Sequence, residues 1–418
     1  MTAALALGAS SATSLAGGRG IPPGPSRDWA YGAVIQPDGK IVAVGRTIDR
    51  RGRWRFGLMR FTRSGRVDAR FGRNGRVATA FGTKGASAAA AVALERNGKL
   101  VVAGGVRGAG FAVGRYTARG RLDRTFGRGG KVTTAFRGYP TAKGVAVQPD
   151  GKPVVVGWGG LARYTARGRL DRGFGRGGRV AAGASYPSAV VLQPDGKIVT
   201  AGSTGSRFAV TRYTHAGKLD TSFGQGGTAL TAIGPGSSSR ANAIAIQPDG
   251  KLVAAGDDDG YGNFVVVRFT PDGSLDPSFG SGGVVVTDFG ERAGCLCDSS
   301  DESASAVAVQ PDGKIVVAGG SDKGGKGNER SGSPLDDFAL VRYEADGRLD
   351  RSFGRGGIVV SYLGEGWLIA EAVALQPDGA IVAVGGGAGS FVVARYRPDG
   401  QLDRTFGDLG QVAANIGT

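Results

Sequence analysis

Two short signatures recur in fixed order seven times along the chain, and this repetition limits the fold more than any other feature. The first is a turn. It reads Gln36-Pro-Asp-Gly-Lys40, Glu95-Arg-Asn-Gly-Lys99, Gln148-Pro-Asp-Gly-Lys152, Gln193-Pro-Asp-Gly-Lys197, Gln247-Pro-Asp-Gly-Lys251, Gln310-Pro-Asp-Gly-Lys314 and Gln376-Pro-Asp-Gly-Ala380. The second follows each time, as Val67-Asp-Ala-Arg-Phe-Gly72 and then as Leu-Asp-x-x-Phe-Gly starting at Leu122, Leu170, Leu219, Leu275, Leu349 and Leu402. Successive turn Asp/Asn positions are 59, 53, 45, 54, 63 and 66 residues apart. A unit of that length cannot bury its own apolar face, so the units must stack or close on one another.

Each unit reads as four short strands. A small and β-branched run (Ala306-Val-Ala-Val-Gln310) meets the Pro-Asp-Gly turn, whose Gly supplies a positive φ. Lys314-Ile-Val-Val-Ala-Gly319 and Phe338-Ala-Leu-Val-Arg-Tyr343 follow. A further Gly turn leads to the second signature and to a fourth strand, Gly357-Ile-Val-Val-Ser361. Apolar runs bounded by Gly, Asp and Pro are strand signals, and no segment has sustained helical periodicity. The expectation is an all-β chain: a seven-bladed β-propeller of four-stranded antiparallel blades, in which radial repetition protects strand edges. A β-solenoid is the alternative. The blades fall near residues 29–81, 86–136, 139–183, 185–233, 240–290, 303–362 and 368–417, behind a tail at 1–28. Ring closure would rest on blade 1 packing against blade 7.

The run from Ala306 to Gly357, with both signatures in register, resembles the bacterial delta-60 repeat and is distantly similar to NHL-type blades. The resemblance extends from about Ala33 to the C-terminus. It implies a propeller and brings no established activity.

A regularity inside the repeat has a physical reading. The third strand carries Arg60, Arg115, Arg163, Arg212, Arg268, Arg342 or Arg395, and an Asp follows eight residues later in every unit. Across a hairpin, that offset predicts an Arg–carboxylate pair in each blade. The Phe of the second signature reads as an anchor between blades. Small first-strand residues such as Ala93, Ala146, Ala245, Ala308 and Ala374 suit a crowded centre, and imply that no polar group faces a central channel.

The strand order sorts the loops. Uniform turns collect on one face, whereas connections of variable length and composition collect on the other, where recognition on a rigid scaffold tends to sit. All four Trp fall on the variable side. Trp29, Tyr31, Trp54, Trp158, Tyr261 and Trp367 are therefore the candidate ligand-binding residues, for a glycan or a protein. Burial against loops is the competing use of such rings. Asp257, Asp258 and Asp259 are candidate Ca²⁺ ligands, without EF-hand spacing, or a solvated acidic loop. No other cofactor is implied. The inserts 291–303 and 321–337 also fall on this face. Cys295 and Cys297 lie in the first insert, too close together for an unstrained bridge.

Other readings stay open. His215, the only His, sits in a turn, so a Ser-His-Asp triad has no place. A hydrolase or lyase could use carboxylates at Asp257–Asp259, or Glu365 and Glu371. A structural spacer is the third reading. The formal net charge of +17 is unevenly spread: residues 1–232 hold 37 Lys/Arg against 10 Asp/Glu, and residues 233–418 hold 15 against 25. A basic sector suits an anionic envelope polymer. Nucleic acid is disfavoured, because no aromatic-interleaved groove or reading motif is present. Residues 1–18 read as a short signal peptide lacking a basic start, or else as a disordered tail or a misplaced start codon. The first reading implies an extracellular or envelope location, the others a cytoplasmic one. No apolar stretch is long enough to span a membrane.

Overall fold

The alternation of β-branched runs with glycine turns gives seven antiparallel sheets, six of four strands and one of five, and within each sheet the four blade strands follow chain order. The computed structural model describes residues 7–8, 27–82, 85–136, 141–182, 185–234, 238–258, 262–290, 302–321, 337–364, 368–387 and 389–417. Blade 1 comprises Trp29–Ile35, Ile41–Ile48, Trp54–Phe61 and Arg76–Thr79. The inner strands of blades 2 to 7 are Ser87–Leu94, Ala142–Val147, Ser185–Leu192, Ser239–Ile246, Ser303–Val309 and Ile369–Leu375. The sheets form a seven-bladed β-propeller, and no helix occurs among the described residues. The first turn shows how each hairpin closes. Gln36 N donates to Lys40 O and Gly39 N to Gln36 O, both at 2.8 Å, with Gly39 at φ 76°.

The core lies between blades. Each apolar cluster straddles two neighbours. Val34, Leu58 and Phe71 of blade 1 pack with Ala89 and Val102 of blade 2, and Val382, Val393 and Phe406 of blade 7 pack with Ala33, Met59 and Phe61 of blade 1. The ring therefore closes by packing of blade 7 on blade 1. Gly407 N donates to Ser64 O at 2.9 Å and Gln376 Nε2 to Gly39 O at 3.2 Å, adding polar links. Of the first 26 residues only Leu7–Gly8 are described. They pair antiparallel with Ile244 and Ala243, along the free edge of the blade 5 inner strand.

The recurring Arg and Asp meet as the eight-residue offset requires. In blade 6, Arg342 Nε donates to Asp350 Oδ2 at 2.7 Å, and its Nη1 reaches Pro398 O in blade 7. The same guanidinium lies over the Phe353 ring at 4.5 Å. That ring is wedged against Gly400 of the next blade, where a Cβ would come within 2.9 Å of it. The turn lysine shares the carboxylate, with Lys314 Nζ at 2.8 Å from Asp350 Oδ2. The repeat is thus a junction linking turn, strand and neighbouring blade. Blade 7 lacks the lysine, and Arg395 there contacts Asp403, Asp378 and Gln376.

Candidate functional site: the channel rim of the variable face

Every inner strand slips register once, near its variable-face end. The shifts fall between Ala30/Gly32, Ala89/Ala91, Ala142/Gly144, Pro187/Ala189, Ala241/Ala243, Ala304/Ala306 and Ala370/Ala372. Each shift is a bulge with one extra residue: Tyr31, Ala90, Lys143, Ser188, Asn242, Ser305 or Glu371. A bulge re-aims the side chain of its extra residue. Small neighbours on both sides leave that side chain room.

This corrects the expectation of an apolar channel. The small residues do line the inner strands, but six of the seven bulge residues are polar. The sequence carried a signal for them. Each lies five residues before the turn Gln or Glu, and it is the variable position within a run of alanines and valines.

The rim residues interact with one another and with the loops. Trp29 Nε1 donates to Glu371 Oε1 at 3.0 Å. Asn242 Nδ2 donates to Asp257 Oδ2 at 2.7 Å and to Ala304 O of the next blade at 3.0 Å. Lys143 is 3% exposed. Burial pulls its pKa down to about 8, opposed by the charge of Glu371 and assisted by that of Arg240. Lys143 belongs to blade 3 and Glu371 to blade 7, so rim charges act across the channel. Burial likewise pushes the Tyr31 phenol up to about 12, with Arg46 opposing and Glu371 adding.

The candidate aromatic residues separate into two groups. In blade 1, Trp29, Tyr31 and Trp54 surround one guanidinium: Arg46 Cζ lies 4.5 Å from the Trp54 ring centre, 5.7 Å from Tyr31 and 6.0 Å from Trp29. The chain's own cation occupies the space between these rings. Trp158 stands apart, with Lys143 Nζ 5.1 Å from its ring. Tyr186 meets Trp158 edge-on, centroids 6.5 Å apart at 82°. Beside them opens a cavity of 260 Å³, lined chiefly by Lys143, Trp158, Tyr186, Ser188, Ser203 and Arg240 from blades 3, 4 and 5. Tyr186, 54% exposed, was not singled out from the sequence.

The acidic candidates hold loops together. Asp257 accepts hydrogen bonds from Asn242 and from Ser303 Oγ at 2.7 Å, and Asp258 Oδ1 accepts from Asn263 N at 2.9 Å. Among the described residues, no group of three or more His, Cys, Asp or Glu could hold a metal ion. Trp367, Tyr261, Asp259, Glu365, Cys295 and Cys297 lie outside the described residues, as do 291–301 and 322–336 of the two inserts. On the outer edge of blade 2, a shallow concavity is lined by Arg121, Arg124, Arg128 and Lys131. No helix is long and apolar enough to cross a membrane among the described residues.

Comparison with known proteins agrees with this architecture. The family model of a β-propeller domain of unknown function (DUF5122) matches residues 36–71, 148–174, 193–223, 247–279, 310–353 and 376–406. A WD-domain G-beta repeat model matches residues 229–261. These matches support a propeller-repeat family. No curated protein sequence matches the chain. Similar solved structures include a Bacteroides caccae protein of unknown function (12% identity, 76% of this chain and 94% of that one, TM-score 0.45). Another is the extracellular domain of a putative one-component system from B. thetaiotaomicron (13% identity, 89% of this chain and 39% of that one, TM-score 0.47). A third is a Lactobacillus plantarum protein (16% identity, 88% and 96%, TM-score 0.45).

Proposed function

We propose that the protein is a non-enzymatic, extracytoplasmic scaffold of delta-60-type repeats that binds carbohydrate on its variable face. The observation that carries this reading is the cavity over blades 3 to 5, where Trp158 and Tyr186 border a concave space together with Ser188 and Ser203. Sugars present apolar C–H faces and a rim of hydroxyls. Aromatic rings beside serine hydroxyls match both features. The blade 1 group supports the fold rather than a ligand, because Arg46 fills it. The basic concavity of blade 2 supports a secondary attraction to an anionic envelope polymer.

Binding to a broad glycan array tests the reading, with Trp158→Ala and Tyr186→Ala as variants. The reading expects saturable binding to a subset of glycans, weakened in both variants while Trp54→Ala leaves it unchanged. Binding that survives Trp158→Ala but is lost in Trp54→Ala would place recognition in blade 1 instead.

A further inference from the structure

The uniform turns are alike in backbone and unlike in charge, and the difference is confined to particular seams between blades. We propose that the seams joining blade 1 to blade 2 and blade 2 to blade 3 form one arginine track that binds a linear polymer bearing repeated phosphate or sulfate groups. The track belongs to the uniform-turn face, apart from the cavity over blades 3 to 5, and it rests on the attraction to an anionic polymer proposed above.

One backbone hydrogen bond recurs from seam to seam. The Gly of each Phe-Gly signature donates to a carbonyl in the turn of the next blade. Gly72 N reaches Arg119 O, Gly127 N reaches Arg167 O and Gly175 N reaches Ala216 O, each at 2.8 Å. Further round the ring, Gly224 N reaches Asp272 O, Gly280 N reaches Asp346 O and Gly354 N reaches Asp399 O, again at 2.8 Å. The side chain at this one place thus passes from Arg through Ala to Asp. The residue after each of the first two donors is also an arginine, so Arg73 and Arg119 flank the first seam, and Arg128 and Arg167 the second. Between the seams lies the concavity of blade 2, where Arg121, Arg124 and Arg128 share one wall. The track is therefore continuous across blade 2.

The fold does not need these arginines. In blades 5 to 7 the seam Asp caps its own turn, since Asp272, Asp346 and Asp399 accept from Ser274 N, Arg348 N and Gln401 N. In blades 2 and 3 a threonine takes over: Thr117 Oγ1 and Thr165 Oγ1 accept from Arg121 N and Arg169 N at 3.2 Å. Blade 4 caps the same way through Thr214 and carries Ala216 at the seam, so nothing in the turn requires a cation there. All six guanidinium groups are exposed, and no side-chain hydrogen bond or ion pair holds them among the described residues. The acidic residues within 61–79, 117–134 and 165–182 are Asp68, Asp123 and Asp171 alone, and Arg60, Arg115 and Arg163 engage them at 3.0, 2.8 and 3.0 Å. By contrast, Arg348 and Arg397 in blades 6 and 7 pair with Asp346 and Asp399. Clustered like charges repel one another, and a bound anion relieves that repulsion.

The chemistry selects the partner. A guanidinium fork makes two-point contacts with phosphate and sulfate oxygens. A planar anionic membrane lying on this face would meet Asp272, Asp346 and Asp399 as well as the arginines, whereas a narrow strand can follow the arginines alone. Single-stranded nucleic acid binds by stacking its bases on aromatic rings. The concavity offers none, and Leu122 is its one apolar lining residue. A polymer long enough to reach both seams gains contacts that a short anion cannot make.

Fluorescence anisotropy with labelled long-chain polyphosphate and labelled dextran sulfate tests the proposal. Triphosphate, single-stranded DNA and phosphatidylglycerol vesicles serve as competitors at matched charge. The double variant Arg119→Ala/Arg167→Ala gives each seam the residue that blade 4 already carries at Ala216. The control, Arg351→Thr/Arg355→Gln in blade 6, removes the same charge by taking the blade 4 residues at Thr221 and Gln225. Urea midpoints verify that both variants fold. Wild type is expected to bind a long polymer with an affinity that falls steeply between about 50 and 200 mM salt, and triphosphate should compete poorly. The seam variant should bind about tenfold more weakly, the value of one charge-assisted hydrogen bond, and the control should match wild type. The two polymers show which oxyanion is preferred. Equal weakening by the seam pair and the blade 6 pair overturns the track and leaves a diffuse attraction standing. Stronger competition by DNA or by vesicles than by either unlabelled polymer overturns the linear, base-free polymer as occupant. Absence of binding to every polyanion overturns both the track and the attraction, independently of the glycan test at Trp158.

Discussion

Asp350→Asn isolates the charge at a blade junction. The Asp350 side chain is 3% exposed, and one of its oxygens accepts from Arg342 Nε at 2.7 Å and Lys314 Nζ at 2.8 Å. The other accepts from Ser352 N at 3.0 Å and Ser352 Oγ at 2.6 Å. Asparagine keeps the shape and one acceptor oxygen. It removes the charge facing a guanidinium that is itself 7% exposed and stacked on Phe353. A stranded buried charge of this kind costs about 3–5 kcal/mol. Blade 7 supplies the internal control. There the turn lysine is replaced by Ala380, and Arg395 is 16% exposed with Asp378 as a second carboxylate. Asp403→Asn therefore leaves its arginine a partner and should cost about 1–2 kcal/mol, the scale of one lost charged hydrogen bond. Urea unfolding followed by tryptophan fluorescence reads both variants. A loss below about 1 kcal/mol for Asp350→Asn, within the additivity scatter of neutral substitutions, refutes the junction as a stabilising unit. So does an Asp403→Asn penalty as large as that of Asp350→Asn.

Acid should weaken the ring in a defined window. Ser222 and Lys197 hold Asp220 below the usual carboxylate range. For Asp123, Asp276 and Asp350, burial acts against the shift but is overcome by lysine, hydroxyl and arginine partners. The folded values are depressed, so their stabilisation is complete above about pH 4 and is lost as pH falls through the folded values. A urea midpoint that rises between about pH 4 and 2 contradicts this. Phe353→Ala removes an interblade wedge and should cost about 3–5 kcal/mol by the same assay. Lys143 behaves oppositely to the carboxylates. Its folded pKa, about 8, lies below its unfolded value, so the destabilisation by buried charge is relieved as pH rises from 8 towards 10.5. Thermal melts of wild type and Lys143→Met should converge over that range, and parallel curves would show that the lysine is not strained.

The fold was legible because its signals are local and repeated. Each Pro-Asp-Gly names a hairpin, and the constant Arg-to-Asp offset names a contact across the next one. The hydroxyl at Thr125, Ser222, Ser278, Ser352 and Thr405, which donates to the junction Asp, was visible as a pattern but not read. The site was less legible for a different reason. Tryptophans draw attention because they are rare, yet whether a ring is available depends on what lies beside it. Arg46, distant from Trp29 in sequence order, reaches the same rings only once the inner hairpin forms. The bulge residues carry no characteristic chemistry as a set, since Tyr, Ala, Lys, Ser, Asn and Glu share only a position. Alignment of the seven copies on the turn Gln or Glu shows that this single column varies while its neighbours stay small.

Each repeat supplies all four of its own strands, and the closing contact brings Ile416 N within 2.6 Å of Asp28 Oδ2. The order of blades along the polypeptide is therefore separable from their order around the axis. A linker joining these two neighbouring positions, with new ends opened between blades 3 and 4, should yield a permuted molecule with the same circle of sheets and the same rim. Blades could be exchanged as cassettes, each bringing its own bulge residue to the mouth. A lineage built this way can alter what it recognises by shuffling or recolouring one residue per repeat, with the junctions left untouched.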